Sequence, residues 1–116
     1  MKRQEAERRG RGAETLACWY LRLKGWRILA RRVRVRGGEV DIVARRGRTL
    51  AFVEVKARSS EEAAAHSLDH YRLRRVAVAA ERLSRTYMRE GDDIRIDALF
   101  VVPRKLPLHL PNVWQG

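Results

Sequence analysis

The clearest pattern of alternating polar and apolar positions lies in residues 37–58. Two segments there repeat with a period of two residues, which is typical of β-strands whose successive side chains point to opposite faces. Glu39 and Asp41 share a face of the first segment, and Glu54 lies on one face of the second. A polar break at residues 45–48 separates the segments, so the pattern predicts a β-hairpin.

The length of the hairpin loop decides which side chains meet across the two strands. Directly opposed residues lie on the same face of a sheet, and a loop of even length pairs odd positions with even ones. A loop at residues 46–49 therefore places Asp41 opposite Glu54, with their side-chain bases roughly 4.5–5.5 Å apart. Two carboxylates at about 5 Å repel by roughly 3 kcal/mol at an effective dielectric near 20. We expect a cation to offset this repulsion, supplied in part by Lys56, and the combination indicates phosphate chemistry.

An amphipathic helix is predicted before the hairpin. Apolar residues recur at i, i+3, i+4, i+7 and i+8 between Gly12 and Lys24, and Gly25 is placed to end the helix. Residues 1–11 are charged and interrupted by glycine, which predicts a disordered basic tail. The remainder, 12–116, has the length of a single domain.

The other elements alternate between strand and helix. A strand at 26–36 changes its alternation at Arg31-Arg32, which predicts a bulge or a break. Residues 59–66 have no clear period. The remaining predicted elements are a helix from Ser67 or Asp69 to about Arg89, a strand at 94–102, and an extended tail at 106–114 that packs on the sheet. The order α-β-β-β-α-β predicts an α/β domain with a mixed central β-sheet flanked by helices.

The charge balance indicates the kind of partner. The chain has 26 Lys and Arg against 14 Asp and Glu, a net charge of +12, and this excess predicts a polyanion such as nucleic acid. Two arginine clusters are candidates for phosphate contacts, Arg31 with Arg32 and Arg72 with Arg74 and Arg75. Charges on an edge strand also prevent aggregation, and a helix also carries charges on its solvated face, so both alternatives stay open.

Secretion, membrane insertion and a zinc site are not indicated. Cys18 is a single cysteine within an apolar stripe, which excludes an internal disulfide and predicts a buried, unreactive thiol. His66, His70 and His109 do not have the spacing of zinc ligands. With no signal peptide or long apolar run, we expect a cytoplasmic protein without a membrane partner.

Short motifs along the chain resemble a nuclease family. An Asp on one strand followed by Glu-x-Lys on the next resembles the PD-(D/E)XK nuclease superfamily. The whole series is similar to the YraN family, small bacterial proteins that resemble archaeal Holliday-junction resolvases. The series consists of Gly12-Ala13-Glu14, Gly38-Glu39-Val40-Asp41, Val53-Glu54-Val55-Lys56, Arg95-Ile96-Asp97 and Leu108-His109-Leu110.

The resemblance implies a restriction-endonuclease-like fold and hydrolysis of nucleic-acid phosphodiesters that depends on Mg²⁺ or Mn²⁺. Asp41 and Glu54 would bind the metal, and Lys56 would orient water or stabilise the anionic phosphorus. Glu14 would supply a further catalytic carboxylate from the first helix. Its alternative interpretation is an acid in the first helical turn, stabilised by the helix dipole. The implied partner is nucleic acid, with DNA favoured, and the implied substrate includes branched DNA.

Several alternatives remain at this point. The protein is alternatively a non-catalytic, basic nucleic-acid-binding module, or a structural subunit of a DNA-processing assembly. Asp97 matches a residue of the family, yet its position favours a structural ion pair or hydrogen-bond acceptor. The Lys-Gln pair of the family is replaced by Arg72 and Leu73. The sequence leaves open DNA or RNA as substrate, endo or exo cleavage, and a monomer or a homodimer.

Overall fold

In the part of the chain that the structure describes, one five-stranded sheet carries helices on both faces. A computed structural model describes residues 2–65 and 69–114, with side chains described at 11–60, 62–64 and 69–114. In chain order the elements are α1 (Lys2–Leu23), β1 (Arg27–Val35), β2 (Gly38–Arg46), β3 (Thr49–Ala57), α2 (Glu61–Ala65), α3 (His70–Tyr87), β4 (Asp93–Val101) and β5 (Leu108–Leu110).

The sheet is mixed. Its strands lie in the order β1-β2-β3-β4-β5. The pairs β1–β2, β2–β3 and β4–β5 are antiparallel, whereas β3 and β4 are parallel. Parallel neighbours need a crossover connection, and α3 provides it between β3 and β4. This confirms the predicted α/β class and the mixed sheet flanked by helices, the arrangement of a restriction-endonuclease-like fold.

Each face of the sheet contacts a different helix. Ile42, Ala44, Ala51, Val53 and Leu99 of the sheet pack with α1 residues, which are Ala17, Cys18 and Leu21. Val43, Leu50, Phe52 and Ile96 of the sheet pack with α3 residues, which are Leu73, Val76, Ala79 and Ala80. Successive strand residues alternate between the two sets, as the period of two predicts. Cys18 is buried, and this burial raises the pKa of its thiol, as expected of an unreactive cysteine.

Helix α1 is longer than its apolar stripe predicts. It begins at Lys2 rather than near Gly12, so it includes most of the segment expected to be disordered. Gly25 follows the helix with a φ of 91°, the left-handed conformation expected of a glycine that ends a helix. The disorder of residues 1–11 in solution and the domain boundary at residue 12 stay predictions.

Strand β1 lies at the edge of the sheet and is irregular near the predicted position. Its pairing with β2 shifts register between Ile28 and Ala30, whereas the alternation places the break at Arg31-Arg32. Arg32 has a φ of 52°, in the left-handed region that non-glycine residues seldom adopt. The alternation therefore locates the irregular segment, but the bulge itself comes earlier in the strand.

Helix α3 begins at one of its two predicted caps. The Asp69 carboxylate accepts a hydrogen bond of 2.9 Å from the Tyr71 N–H, which makes Asp69 the N-cap. The other candidate, Ser67, lies outside the described residues, as does His66. The helix ends at Tyr87, slightly before the predicted end near Arg89.

Two short elements are absent from the sequence prediction. Helix α2 lies within the segment expected to be irregular, and the Ser60 hydroxyl accepts the Ala63 N–H at 3.0 Å near its start. Strand β5 forms within the tail and pairs with β4. Val113 and Trp114 then pack on the α3 face, which confirms that the tail returns to the sheet.

Helix α3 approaches β2 closely at Gly38. A Cβ atom at this position would lie 2.4 Å from the Arg75 carbonyl oxygen and 2.8 Å from the Ala79 nitrogen. Real Cβ atoms do not tolerate such contacts, so the close packing requires glycine. Because Glu39 and Asp41 follow directly in β2, this contact also sets the distance between α3 and their side chains.

Candidate active site

The predicted register of the central hairpin is confirmed. Backbone pairs run from Ile42 with Val53 to Arg46 with Thr49, and continuing this register places Asp41 opposite Glu54. Arg46 and Thr49 form the last pair, so the turn itself is shorter than predicted. Its parity is unchanged, and the two carboxylates therefore share the face toward α3.

The Asp41 carboxylate acts as a hydrogen-bond acceptor for the β3 backbone where the backbone pairing of β2 with β3 ends. Its Oδ2 accepts a hydrogen bond of 2.7 Å from the Val55 N–H. Burial is the main reason why the pKa of Asp41 rises to about 6, and the neighbouring charges of Glu54, Glu14 and Glu39 add to the rise, while the Val55 bond opposes it. Asp41 is thus a carboxylate whose negative charge is not fully compensated.

Glu54 and Lys56 form an ion pair beside Asp41. The Lys56 Nζ lies 3.3 Å from Glu54 Oε1, and both side chains are buried. The other oxygen, Glu54 Oε2, is buried and has no hydrogen-bond partner among the described residues. A buried carboxylate oxygen without a donor is unusual, and Glu54 is also one of the acids whose charge raises the pKa of Asp41.

Glu14 lines a cavity that Asp41 also borders. Its Oε1 lies 3.3 Å from Arg31 Nε, and its Oε2 lies 3.0 Å from Arg32 Nε. Glu14 and Asp41 both line a cavity of about 500 Å³. The alternative interpretation of Glu14 as an acid in the first helical turn is wrong, because α1 begins at Lys2. Its role as a catalytic carboxylate stays a prediction.

A second cluster of charges surrounds Glu39. Its carboxylate lies 3.5 Å from Arg34 Nε, 3.8 Å from Arg72 Nη1 and 4.0 Å from Arg75 Nε. Glu39 also borders the cavity that Glu14 and Asp41 line. A narrow slot on its α3 side is lined by Glu39, Asp41, Glu54, Arg72, Arg75 and Val76.

The arginines predicted to bind nucleic acid lie in two groups around the carboxylates. Arg31 and Arg32 pair with Glu14 near the large cavity, and Arg72 and Arg75 pair with Glu39 near the slot. Arg74 is exposed on α3. The structure thus brings four of the five near the site, while contact with nucleic acid stays a prediction for all of them.

The metal donors that the sequence predicts are two carboxylates, Asp41 and Glu54. No group of three or more His, Cys, Asp or Glu side chains that could hold a metal occurs among the described residues. Asp41 and Glu54 nevertheless fit an ion such as Mg²⁺, which is often bound by one or two carboxylates while water and substrate oxygens complete its coordination. The uncompensated charge of Asp41 and the unpartnered Glu54 Oε2 are the structural features that fit a cation.

Asp97 has the structural role that its position favours. Its Oδ2 lies 2.7 Å from His109 Nε2 and 2.8 Å from Arg95 Nη2, and its Oδ1 accepts the Asn112 N–H at 2.9 Å. Burial alone would raise the pKa of Asp97, but the bonds from His109, Arg95 and Asn112 outweigh it and lower the pKa. The Asp97 carboxylate of β4 therefore holds the tail, which contains β5, against the sheet.

An ion pair that the sequence pattern does not predict connects the hairpin to the end of α3. Arg45 donates to both Asp92 oxygens, at 2.9 and 2.6 Å, and to the Tyr87 carbonyl at 2.9 Å. The Arg45 bond is the main reason why the pKa of Asp92 falls to about 2. The partners are 47 residues apart, so no local pattern indicates the contact.

Helices long and apolar enough to cross a membrane are absent from the described residues.

Comparison with known proteins gives a consistent result over the whole chain. The model of "Uncharacterised protein family UPF0102" matches residues 13–101. A UPF0102 protein of Sphingopyxis alaskensis is 57% identical over 115 residues, which cover 99% of each chain. Another, from Rhizorhabdus wittichii, is 55% identical and covers 99% of this chain and 98% of its own. The chain therefore belongs to the UPF0102 family, also called YraN, as its series of motifs indicates.

Proposed function

We propose that this protein is a nuclease that hydrolyses nucleic-acid phosphodiesters and depends on a divalent metal ion. The observation that carries the proposal is the meeting of Asp41 and Glu54 on adjacent strands with Lys56 beside them. One carboxylate has a raised pKa and the other has an unpartnered buried oxygen, so the site contains negative charge that a cation would offset.

Asp41 and Glu54 would hold Mg²⁺ or Mn²⁺. When bound, such an ion activates water as a nucleophile and offsets the negative charge that develops on the leaving oxygen. The Val55 N–H holds the Asp41 carboxylate in place through the 2.7 Å hydrogen bond, so this ligand is oriented before any ion arrives.

Lys56 places a positive charge within the same site. Its ammonium lies 3.3 Å from Glu54 Oε1, while Glu54 Oε2 has no hydrogen-bond partner among the described residues. There it would orient the attacking water or stabilise the anionic phosphorus in the transition state. The large cavity beside Asp41 provides space for a nucleotide phosphate, with Arg32 and Arg34 among its lining residues.

The test is cleavage of duplex, single-stranded, flap and four-way-junction DNA with Mg²⁺ and with Mn²⁺. Asp41→Asn, Glu54→Gln and Lys56→Ala should each reduce cleavage by at least about a hundredfold, the scale of removing one positioned electrostatic group. DNA binding should survive in all three variants. Glu14→Gln then tests the carboxylate from α1.

The matched control is Glu81→Gln, which neutralises an exposed carboxylate of α3 outside the site and should leave cleavage unchanged. Absence of metal-dependent cleavage by the wild type on every substrate would reject the nuclease. So would unchanged cleavage in both Asp41→Asn and Glu54→Gln. If DNA binding persists in that case, the non-catalytic binding module takes its place.

A further inference from the structure

Glu39 holds together three arginines that come from two different elements. Arg34 belongs to β1, whereas Arg72 and Arg75 belong to α3, and all three guanidinium groups lie within 4.0 Å of the one carboxylate. The cluster keeps a net positive charge, because a single negative group faces three positive ones. Such an excess is what a polyanion with several phosphates would neutralise.

The cluster borders the candidate active site. Glu39 precedes Asp41 by two positions in β2, so both side chains lie on the same face of the strand. Glu39 lines the large cavity together with Asp41, and it also lines the narrow slot together with Arg72 and Arg75. A nucleic-acid strand that places one phosphate near Asp41 would bring a neighbouring phosphate close to Glu39.

The ion pairs of Glu39 are weak enough to exchange. Their lengths of 3.5 to 4.0 Å exceed those of charge-assisted hydrogen bonds, and the Arg34 and Arg72 side chains are 87% and 50% exposed. Exposed pairs of this kind add little stability and are screened by solvent. A phosphodiester has two non-bridging oxygens that match the planar guanidinium fork, and the neighbouring phosphates of a strand add further negative charge, so nucleic acid would compete well for the same arginines.

We propose that Arg34, Arg72 and Arg75 form a phosphate-binding site that Glu39 occupies in the free protein and that a nucleic-acid phosphate takes over on binding. The inference rests on the proposed function for the identity of the ligand. The Glu39 carboxylate keeps the three side chains gathered when no substrate is present. It also opposes binding, because its charge repels the incoming phosphate.

Substitution of Glu39 should therefore tighten binding rather than weaken it. The probe is a fluorescent 20-base-pair DNA duplex, and anisotropy is measured in EDTA so that cleavage does not interfere. Glu39→Gln should lower Kd about three- to tenfold, because several weak ion pairs no longer compete with phosphate. Glu39→Ala should lower Kd by a similar factor. Thermal unfolding of both variants is measured to check that they are folded.

Two controls separate this exchange from a general effect of charge. Glu81→Gln removes the same charge from an exposed position of α3 and should change Kd less than twofold. Placing Glu39→Gln in an Arg72→Gln/Arg75→Gln background should abolish most of the gain, because the arginines that it releases are then missing. This non-additivity is the signature of direct competition for those residues.

The proposal is overturned if Glu39→Gln and Glu81→Gln change Kd equally. It is also overturned if the full gain persists without Arg72 and Arg75. These results are independent of cleavage: a gain specific to Glu39 in a protein that cleaves no substrate supports the phosphate site and rejects the nuclease. If Asp41→Asn abolishes cleavage but Glu39→Gln has no specific effect on Kd, the nuclease is supported and the phosphate site is rejected.

Discussion

A fully buried aspartate, Asp97, and a partly buried one, Asp41, differ in how their charge is compensated. Asp97 is surrounded by donors from His109, Arg95 and the Asn112 backbone, and its pKa is lowered despite complete burial. Asp41 receives one backbone hydrogen bond and faces other carboxylates, and its pKa is raised to about 6. A carboxylate whose charge is compensated by nearby donors stabilises a fold. A carboxylate with a raised pKa and few donors is a common feature of binding and catalytic sites.

The raised pKa of Asp41 predicts a pH-dependent stability of the metal-free protein. The folded pKa of Asp41 is about 6, above the ordinary value of 3.8. The contribution of this carboxyl to the free energy of unfolding is therefore fully present below about pH 4 and is lost as pH rises through 6. The free energy of unfolding should fall by up to about 3 kcal/mol across this range. Urea unfolding in EDTA between pH 4 and pH 8 measures the change.

Asp41→Asn should remove this fall, whereas Asp93→Asn, which changes an exposed aspartate of β4, should leave the wild-type profile in place. Parallel profiles for the wild type and Asp41→Asn would contradict the prediction.

At the level of elements, local periodicity predicts most of the fold and the centre of the site. The register that opposes Asp41 to Glu54 follows from a period of two and an even loop, and both are local properties. The strand β5 and the helix α2 are missed because they contain only three and five residues, too few to produce a period. The bulge before Ala30 is misplaced because a phase change shows where alternation fails, which need not be where the extra residue enters.

The contact of α3 with β2 predicts a large effect of Gly38→Ala. The added methyl group would overlap the α3 backbone, so the helix must move outward at a cost of about 1–3 kcal/mol or more. Gly12→Ala is the matched control, since nothing lies within 4 Å of a Cβ at that helical position. The control should gain about 0.5–1 kcal/mol from helix propensity. Chemical denaturation of both variants measures the difference, and equal stabilities would contradict the close packing.

At the level of the whole molecule, contacts between distant segments mark the limit of what the sequence predicts. The Arg45–Asp92 pair and the pairs of Glu39 with Arg72 and Arg75 join β2 to α3 and to the turn after it. Charge and composition predict that arginines are abundant, but only the tertiary fold shows which carboxylates they meet. The ion pairs of Glu14 with Arg31 and Arg32 also join distant segments, since they depend on how α1 packs against β1.

The net charge of +12 predicts strongly salt-dependent binding of nucleic acid. If five or six phosphates of duplex DNA are neutralised, log K should fall with log salt at a slope of about −5. Replacing one contacting arginine, such as Arg72 or Arg75, by Gln should reduce the slope by about one. Anisotropy titrations between 50 and 300 mM salt measure it, and a slope near zero would show that the charge serves another purpose.

The uncompensated charge of Asp41 also has a consequence for how the gene can change. An aspartate codon becomes an asparagine codon through a single base substitution, so mutation supplies Asp41→Asn repeatedly. That variant would relieve the burial of an ionised group, and a protein near its stability threshold gains from such relief. Without a role for the charge, mutation would therefore tend to replace this carboxylate. Retention of an acid at position 41 in a lineage would require selection for the charge itself.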